Sequence, residues 1–254
     1  MKRLVLDIGN TKTAVGVFQN GELRDQWRIT TLHWTTDDLW VILRTLLDPF
    51  RDCTPGSVAF ATVVPQVRHS VVDLSRRYMG VDPVEVTTMT AGIRIEYDYP
   101  HELGADRLAN AAGASKMGPL PAIVVDFGTA TTFDVIGADG AYVGGAIAPG
   151  VGTAAAELFK KAEKLNPVDL EFPLKATGRS TAGAIRSGVL LGAVGAADYT
   201  IRRLRLEMEA EPVLWATGGW ARGIADECES DLKVCPELTL IGIDEIGERY
   251  GDGK

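Results

Sequence analysis

Apolar and polar positions along this chain fall into two alternating periods, one of strands and one of helices. Residues 2 to 8 read as a buried strand and Ala14 to Phe18 as a second. Gln19-Asn20-Gly21-Glu22 then supplies a hairpin turn into a third strand that ends near Thr30. In "TTDDLWVILRTLLDPF" the apolar residues Leu39, Ile42, Leu43 and Leu46 recur at the spacing of one helix face, with Thr36 or Asp37 as cap. "SVAFATVV" is a strand stopped by Pro65, and "QVRHSVVDLSRRYMG" reads as a helix ending at Gly80. The first half thus runs three strands, helix, strand, helix, followed by a further strand in "IRIEYDY".

The second half repeats the plan. "AIVVDFG" and "TTFDVIG" are strands, Ala138-Asp139-Gly140 is a turn, and "AYVGGAI" is a third strand. Helices follow after Pro149 and from Thr181 to about Glu207; then come a strand, "VLWATGG", and a closing helix, "LTLIGIDEIGERY". A helix beginning near Gly104 joins the halves, giving two α/β domains at 1–118 and 119–254. Asp7 and Asp126 hold the same place in the two copies, each ahead of a glycine turn and a hydroxyl cluster: "LVLDIGNTKTAVGVF" and "VVDFGTATTFDV".

Bulk composition narrows the classes. The chain has 254 residues, 46% of them hydrophobic, enough for a full core. Lys2 and Arg3 are followed by only three apolar residues before Asp7, too few for a secretion signal. "SGVLLGAVGAADY" is glycine-broken and shorter than a membrane span, so no membrane association is expected. A net charge of −8 argues against nucleic acid as a partner. Cys53, Cys228 and Cys235 form an odd set with no C-x-x-C pair, which fits a reducing cytoplasm; His33, His69 and His101 are too widely spaced for a helical zinc pair.

The two D-x-G turns suit phosphate. Gly9 and Gly128 let the backbone approach a ligand closely, and Asn10, Thr11, Thr13, Thr129, Thr131 and Thr132 offer neutral donors to phosphoryl oxygens. Asp7 and Asp126 would repel phosphate unless a cation stood between, so the carboxylates predict a metal. Neither a Walker pattern nor a protein-kinase glycine loop with its partner motifs is present. "GVGTAA" at Gly150 to Ala155 is a partial dinucleotide fingerprint without the parallel unit that would support it. Asp106, at the start of the joining helix, either favours the helix dipole or serves as the carboxylate that accepts a proton from an attacking hydroxyl. Tyr97 could be a half-buried strand aromatic, Thr181 a helix cap, Arg107 a partner for Asp106, and "ATGGW" an ordinary turn or the turn that approaches adenine or ribose.

The paired hairpins resemble the superfamily of sugar kinases, acetate kinase, actin and chaperone ATPases. That resemblance implies two duplicated ribonuclease H-like domains, the actin-like ATPase fold, with ATP in the cleft between them. More specifically, D-I-G-N-T at Asp7 to Thr11, Tyr97 and Pro100 leading into G-A-D-R, D-F-G-T-A-T-T at Asp126 to Thr132, G-G-x-I-x-P-G from Gly144 to Gly150, and Thr181 in "STAGAIRSG" resemble type III pantothenate kinase. The resemblance implies ATP contacts at Asp7, Ile8, Gly9, Asn10, Thr11, Lys12 and Thr129. It implies a pantothenate pocket at Tyr97, Gly104, Ala105, Asp106, Arg107 and Thr181, with Asp106 as the proton acceptor. It also implies that Asp126 helps hold a monovalent cation (K+ or NH4+) beside Mg2+-ATP, in a cytoplasmic homodimer that begins coenzyme A synthesis. Tyr99 stands where the family more often has asparagine, and "GAIRSG" brings in Arg186. A nucleotide-binding regulatory or accessory protein of the same fold is the alternative reading, and a sugar or acetate kinase a third.

Overall fold

The computed structural model describes residues 2–48, 55–162 and 164–251. Cys53, counted in the sequence, lies outside them. Ten strands and seven α-helices follow one another along these residues, and they form two compact units.

The first unit comprises the described residues of 1–118 and 237–254. Its sheet contains β1 (Lys2–Ile8), β2 (Lys12–Gln19), β3 (Glu22–Thr30), β4 (Ser57–Thr62) and β5 (Val84–Glu85), in the order β3-β2-β1-β4-β5. β1, β2 and β3 pair antiparallel, whereas β4 lies parallel to β1 and β5 parallel to β4. Asn20 and Gly21 close the β2–β3 hairpin with φ of 54° and 77°, the paired left-handed geometry that an Asn-Gly turn adopts without strain. Successive side chains of β1 alternate between the faces. Leu4, Leu6 and Ile8 enter a core with Leu39 and Leu43 of α1 (Thr36–Leu46) and Val67, Val71 and Leu74 of α2 (Pro65–Leu74). Thr35 caps α1 by accepting from the Asp38 N–H, while the Asp38 carboxylate reaches back to the Thr35 backbone. α2 runs on into a π-helical turn, Ser75–Met79, that Gly80 ends at φ 69°.

The opposite face of this sheet carries Arg3, Val5 and Asp7 and is covered by α7 (Leu238–Gly251), which also packs along α3 (Ala105–Met117). The reading of 119–254 as one domain is corrected here: the closing helix belongs to the first unit. The reason is chemical. Arg3 is buried in β1, and its guanidinium finds its carboxylate, 2.7 Å away, on Asp244 of α7.

The second unit, Pro119–Pro236, repeats the pattern with β6 (Ala122–Phe127), β7 (Ala130–Ile136), β8 (Tyr142–Pro149), β9 (Val213–Thr217) and β10 (Lys233–Val234) in the order β10-β9-β6-β7-β8. Matched strand for strand, this is the order of the first sheet, with the same antiparallel and parallel pairings. Ile123, Val125 and Phe127 face a core shared with Val151 of α4 (Val151–Lys161), Leu190, Val194, Ala197 and Ile201 of α5 (Thr181–Arg205), and Ala221 and Ile224 of α6 (Ala221–Ala225). Both sheets therefore have the ribonuclease H-like arrangement.

One expected strand is missing. "IRIEYDY" keeps its alternation, with Ile93, Ile95 and Tyr97 half-buried and the residues between them exposed, yet only Ile95 makes a strand-type bridge. Gly92 turns the chain with φ 64° and Pro100 opens a short 3-10 turn, so the segment never runs along a sheet edge.

Candidate active site

Both units end their central strand in the same way. Asp7 is the penultimate residue of β1, opposite Ala14 of β2 and beside Ala61 of β4; Asp126 is the penultimate residue of β6, opposite Thr132 of β7 and beside Thr217 of β9. Each is half-buried and followed by a tight turn, closed by the Gly9 N–H donating to the Lys12 carbonyl at 3.1 Å and the Gly128 N–H to the Ala130 carbonyl at 3.0 Å. A β-carbon on Gly9 would stand 3.1 Å from the Lys12 oxygen, closer than a side chain is normally tolerated.

The turn residues divide by face. Asn10, Thr11 and Lys12 are exposed at the first tip and Thr129 at the second. The Lys12 ammonium donates to Thr30 Oγ1 at 3.0 Å. Ile8 points its side chain into the core, and its carbonyl accepts from the Val63 N–H, so its contribution to a ligand is limited to backbone. Two expected phosphate donors are corrected. Thr13 lies directly across from Ile8 and Thr131 across from Phe127, and cross-strand partners share a face. Both hydroxyl residues are accordingly buried, Thr13 against Thr31 at 2.8 Å. Thr132, across from Asp126, shares the face of the carboxylate.

The turn after Asp126 is pinned from two sides, by the start of α4 and by the turn that leads into α6. The Gly150 N–H and the Thr153 hydroxyl donate to the Thr129 carbonyl at 3.1 and 2.6 Å, and the Trp220 N–H donates to the Phe127 carbonyl at 3.2 Å. A β-carbon on Gly150 would lie 2.2 Å from the Gly128 oxygen, so only glycine fits. Thr153 carries no signal of its own in the sequence, where "GVGTAA" reads as a partial dinucleotide fingerprint. "ATGGW" supplies Gly218, whose role as a close neighbour of Asp126 needed the parallel β6–β9 pairing to emerge. Carboxylate, carbonyl and hydroxyl oxygens are all hard donors, the type that alkali cations and Mg2+ take.

Asp106 occupies the first turn of α3. Its Oδ1 accepts from the Arg107 N–H at 2.8 Å, and a β-carbon on Gly104 would lie 2.4 Å from that same oxygen. The glycine of G-A-D-R is thus what lets the carboxylate fold over the helix start. Burial pushes the Asp106 pKa up, and the Arg107 N–H and charge pull it only part of the way back. Ala105 is half-buried beside it, Arg107 is buried, and Tyr97 is half-buried upstream. Thr181 is the exposed first residue of α5 but not its cap: Ser180 Oγ accepts from the Gly183 N–H at 3.1 Å. Arg186 donates from Nε to the Asp169 carbonyl at 2.7 Å, so this unusual residue ties down the preceding loop, while Tyr99 is solvent-exposed with its ring edge-on to His101.

Among the described residues, no group of three or more His, Cys, Asp or Glu side chains is arranged to hold a metal, and no helix is long and apolar enough to cross a membrane.

Residues 3–203 match the family model described as type III pantothenate kinase. A type III pantothenate kinase of Desulfatibacillum aliphaticivorans is 41% identical, with 98% of this chain and 99% of that protein covered. One from Roseiflexus sp. (strain RS-1) is 42% identical over 96% and 98%. Among solved structures, the ROK hexokinase from Thermus thermophilus superposes over the whole of both chains with a TM-score of 0.56 at 14% identity, a likeness of fold.

Proposed function

The chain belongs to the type III pantothenate kinase family, and from that membership we propose that it uses Asp106 to prepare pantothenate for phosphorylation by ATP. The reaction is transfer of the γ-phosphoryl group to the primary hydroxyl of pantothenate, giving ADP and 4′-phosphopantothenate, the first step of coenzyme A biosynthesis. The observation that carries the residue assignment is the Asp106 carboxylate itself. It is fixed over the first turn of α3 by its own backbone, and burial leaves it more basic than an exposed aspartate.

A carboxylate in that condition orients the hydroxyl by accepting its hydrogen bond and takes the proton as the oxygen attacks phosphorus. A raised pKa favours this step, because the proton goes to a stronger base, while the group stays ionised near neutral pH only if the rise is moderate. Arg107 adds positive charge next to the developing negative charge, and Tyr97, Gly104, Ala105 and Thr181 shape the acceptor pocket. Asp7 to Lys12 and Thr129 hold the triphosphate through turn backbone and short hydroxyl side chains.

The oxygen donors around Asp126 fit a monovalent cation, K+ or NH4+. Mg2+ would arrive on the nucleotide, since it needs only one or two carboxylates besides phosphate oxygens. When bound, these ions neutralise charge on the transferring phosphoryl group. The reading extends to a cytoplasmic homodimer, as in the wider family.

The test is ADP release from ATP with and without pantothenate, in potassium and in sodium buffer. ADP formation should require pantothenate and be faster in potassium. Release that ignores pantothenate would overturn the substrate, and equal rates in the two salts would overturn the cation site at Asp126.

A further inference from the structure

The segment from Tyr97 to Arg107 is flanked on both sides by anchors to a single helix, α7. Upstream, Arg249 Nη1 of α7 donates to the Gly92 carbonyl at 3.3 Å, and the Tyr250 hydroxyl donates to the Met89 carbonyl at 3.1 Å. Gly92 is the residue that turns the chain with φ 64°, and a β-carbon there would stand 2.9 Å from Arg249 Nη1. Downstream, the Thr239 hydroxyl of α7 donates to Asn110 Oδ1 at 2.7 Å, with Asn110 0% exposed. Asn110 is four residues after Asp106 and so lies one helical turn along on its face. Beyond it the two helices touch backbone to backbone. A β-carbon on Gly242 would fall 1.8 Å from the Ala109 oxygen, and one on Gly113 would fall 2.4 Å from the Leu238 oxygen. Lys116 closes the far end of the seam on Glu245 at 2.7 Å.

Contacts this close leave α3 no freedom to slide or rotate without moving α7 as well, since interiors at this density do not deform smoothly. The α7 side of the seam lies outside residues 3–203, the stretch that the family model matches, whereas α3 lies within it. We infer that α7 is the positioning element of the acceptor pocket: Thr239, acting through Asn110, sets where Asp106 stands, and Arg249, acting through Gly92, sets the approach of the Tyr97 segment. The inference rests on the proposed roles of Asp106 and Tyr97. Neither α7 residue is catalytic; each acts on the reaction through the segment it holds. A positional error of about 1 Å at a reacting group can cost on the order of a hundredfold in rate, so a lost brace is readable in turnover.

The experiment compares full-length Thr239→Val, Thr239→Ser, Arg249→Gln and Asp106→Asn with the parent protein, measuring kcat, both KM values and the melting temperature, with kinetics run well below melting. Thr239→Val keeps the shape and removes the donor; it should lower kcat by about tenfold or more at unchanged KM for ATP, and Thr239→Ser should restore kcat to within about twofold. Arg249→Gln should raise KM for pantothenate by roughly threefold or more and leave KM for ATP alone. A Thr239→Val protein that melts lower yet turns over normally would overturn the inference, because the hydrogen bond would then be merely structural. If Thr239→Val yields no folded protein, Arg249→Gln decides, and an unchanged KM for pantothenate overturns the inference. Asp106→Asn separates the two levels of the argument. Full activity in that variant defeats the reading of Asp106 as base, whereas an inactive Asp106→Asn beside a fully active Thr239→Val defeats the bracing role alone.

Discussion

Asp126 Oδ1 lies 2.5 Å from the point where a β-carbon on Gly218 would stand, and Gly218 holds a φ of +94°. The Phe127 backbone nitrogen and carbonyl carbon are each 2.7 Å from the same point. An alanine at 218 would therefore be strained in its own backbone, at a cost of roughly 1–3 kcal/mol, and would also drive the carboxylate from its place. Gly219, next in the chain, has nothing within 4 Å of its β-position. Gly218→Ala should cut turnover by about two orders of magnitude and weaken the potassium response. Gly219→Ala should behave like the parent protein. Steady-state assays of both variants across potassium concentrations check the contrast, and a fully active Gly218→Ala would contradict it.

The raised pKa of Asp106 has consequences for both rate and stability. As the proposed base, Asp106 works only when ionised, so kcat/KM should fall with decreasing pH along a limb lying above the value of about 4 that an exposed aspartate would give. Burial is the main cause, with the Arg107 N–H and charge opposing it. For stability the sign is opposite to that of a salt-bridged carboxylate. The folded chain binds the Asp106 proton more tightly than the unfolded chain, so this group's contribution falls as pH rises through the window between the two pKa values and stays unfavourable above it. Asp106→Asn removes that burden. It should lower turnover by about 10²- to 10⁴-fold while melting at a higher temperature at neutral pH, a trade of stability for activity. Calorimetry and ADP release on the same preparation test the pair, and a variant that melts lower than its parent would count against the burial argument.

The sequence made the local features legible and concealed the distant ones. The β1–β2 and β6–β7 hairpins could be read because an apolar run, an aspartate and a glycine turn sit within about a dozen residues, and each element is decided by its neighbours. Gly104 could be seen as part of a motif, but its physical reason, a carboxylate oxygen 2.4 Å from where its β-carbon would be, needed the helix start in three dimensions. The inward turn of Thr13 and Thr131 is not legible, because composition shows a hydroxyl but not its face, and the face follows from register with Ile8 and Phe127. The closing helix was given to the wrong unit because its periodicity reveals an apolar stripe without revealing which sheet receives it. One clue is present: an arginine inside an apolar strand requires a buried acid, and Asp244 directly follows the apolar run Leu240-Ile241-Gly242-Ile243 of α7.

That pair yields the last prediction. Arg3 and Asp244 have side chains only 7% and 6% exposed, and Arg3 Nη1 reaches both the Asp244 carboxylate at 2.7 Å and its backbone carbonyl at 3.1 Å. Burying two charges is expensive, and their attraction roughly repays that expense, so the pair need not add net stability over an apolar one. Removing a single partner is different, because the survivor stays buried without its counter-charge. Asp244→Leu alone should therefore destabilise the protein by about 3–5 kcal/mol, and Arg3→Met by a similar amount. The double variant Arg3→Met/Asp244→Leu should lose far less than the sum, since both charges leave together. Denaturant unfolding of all four proteins gives the coupling energy. Additive losses would mean that the contact holds α7 to β1 by packing alone, with Gly247 pressed against Ala59 and the Arg3 stem, and that the charges contribute nothing specific.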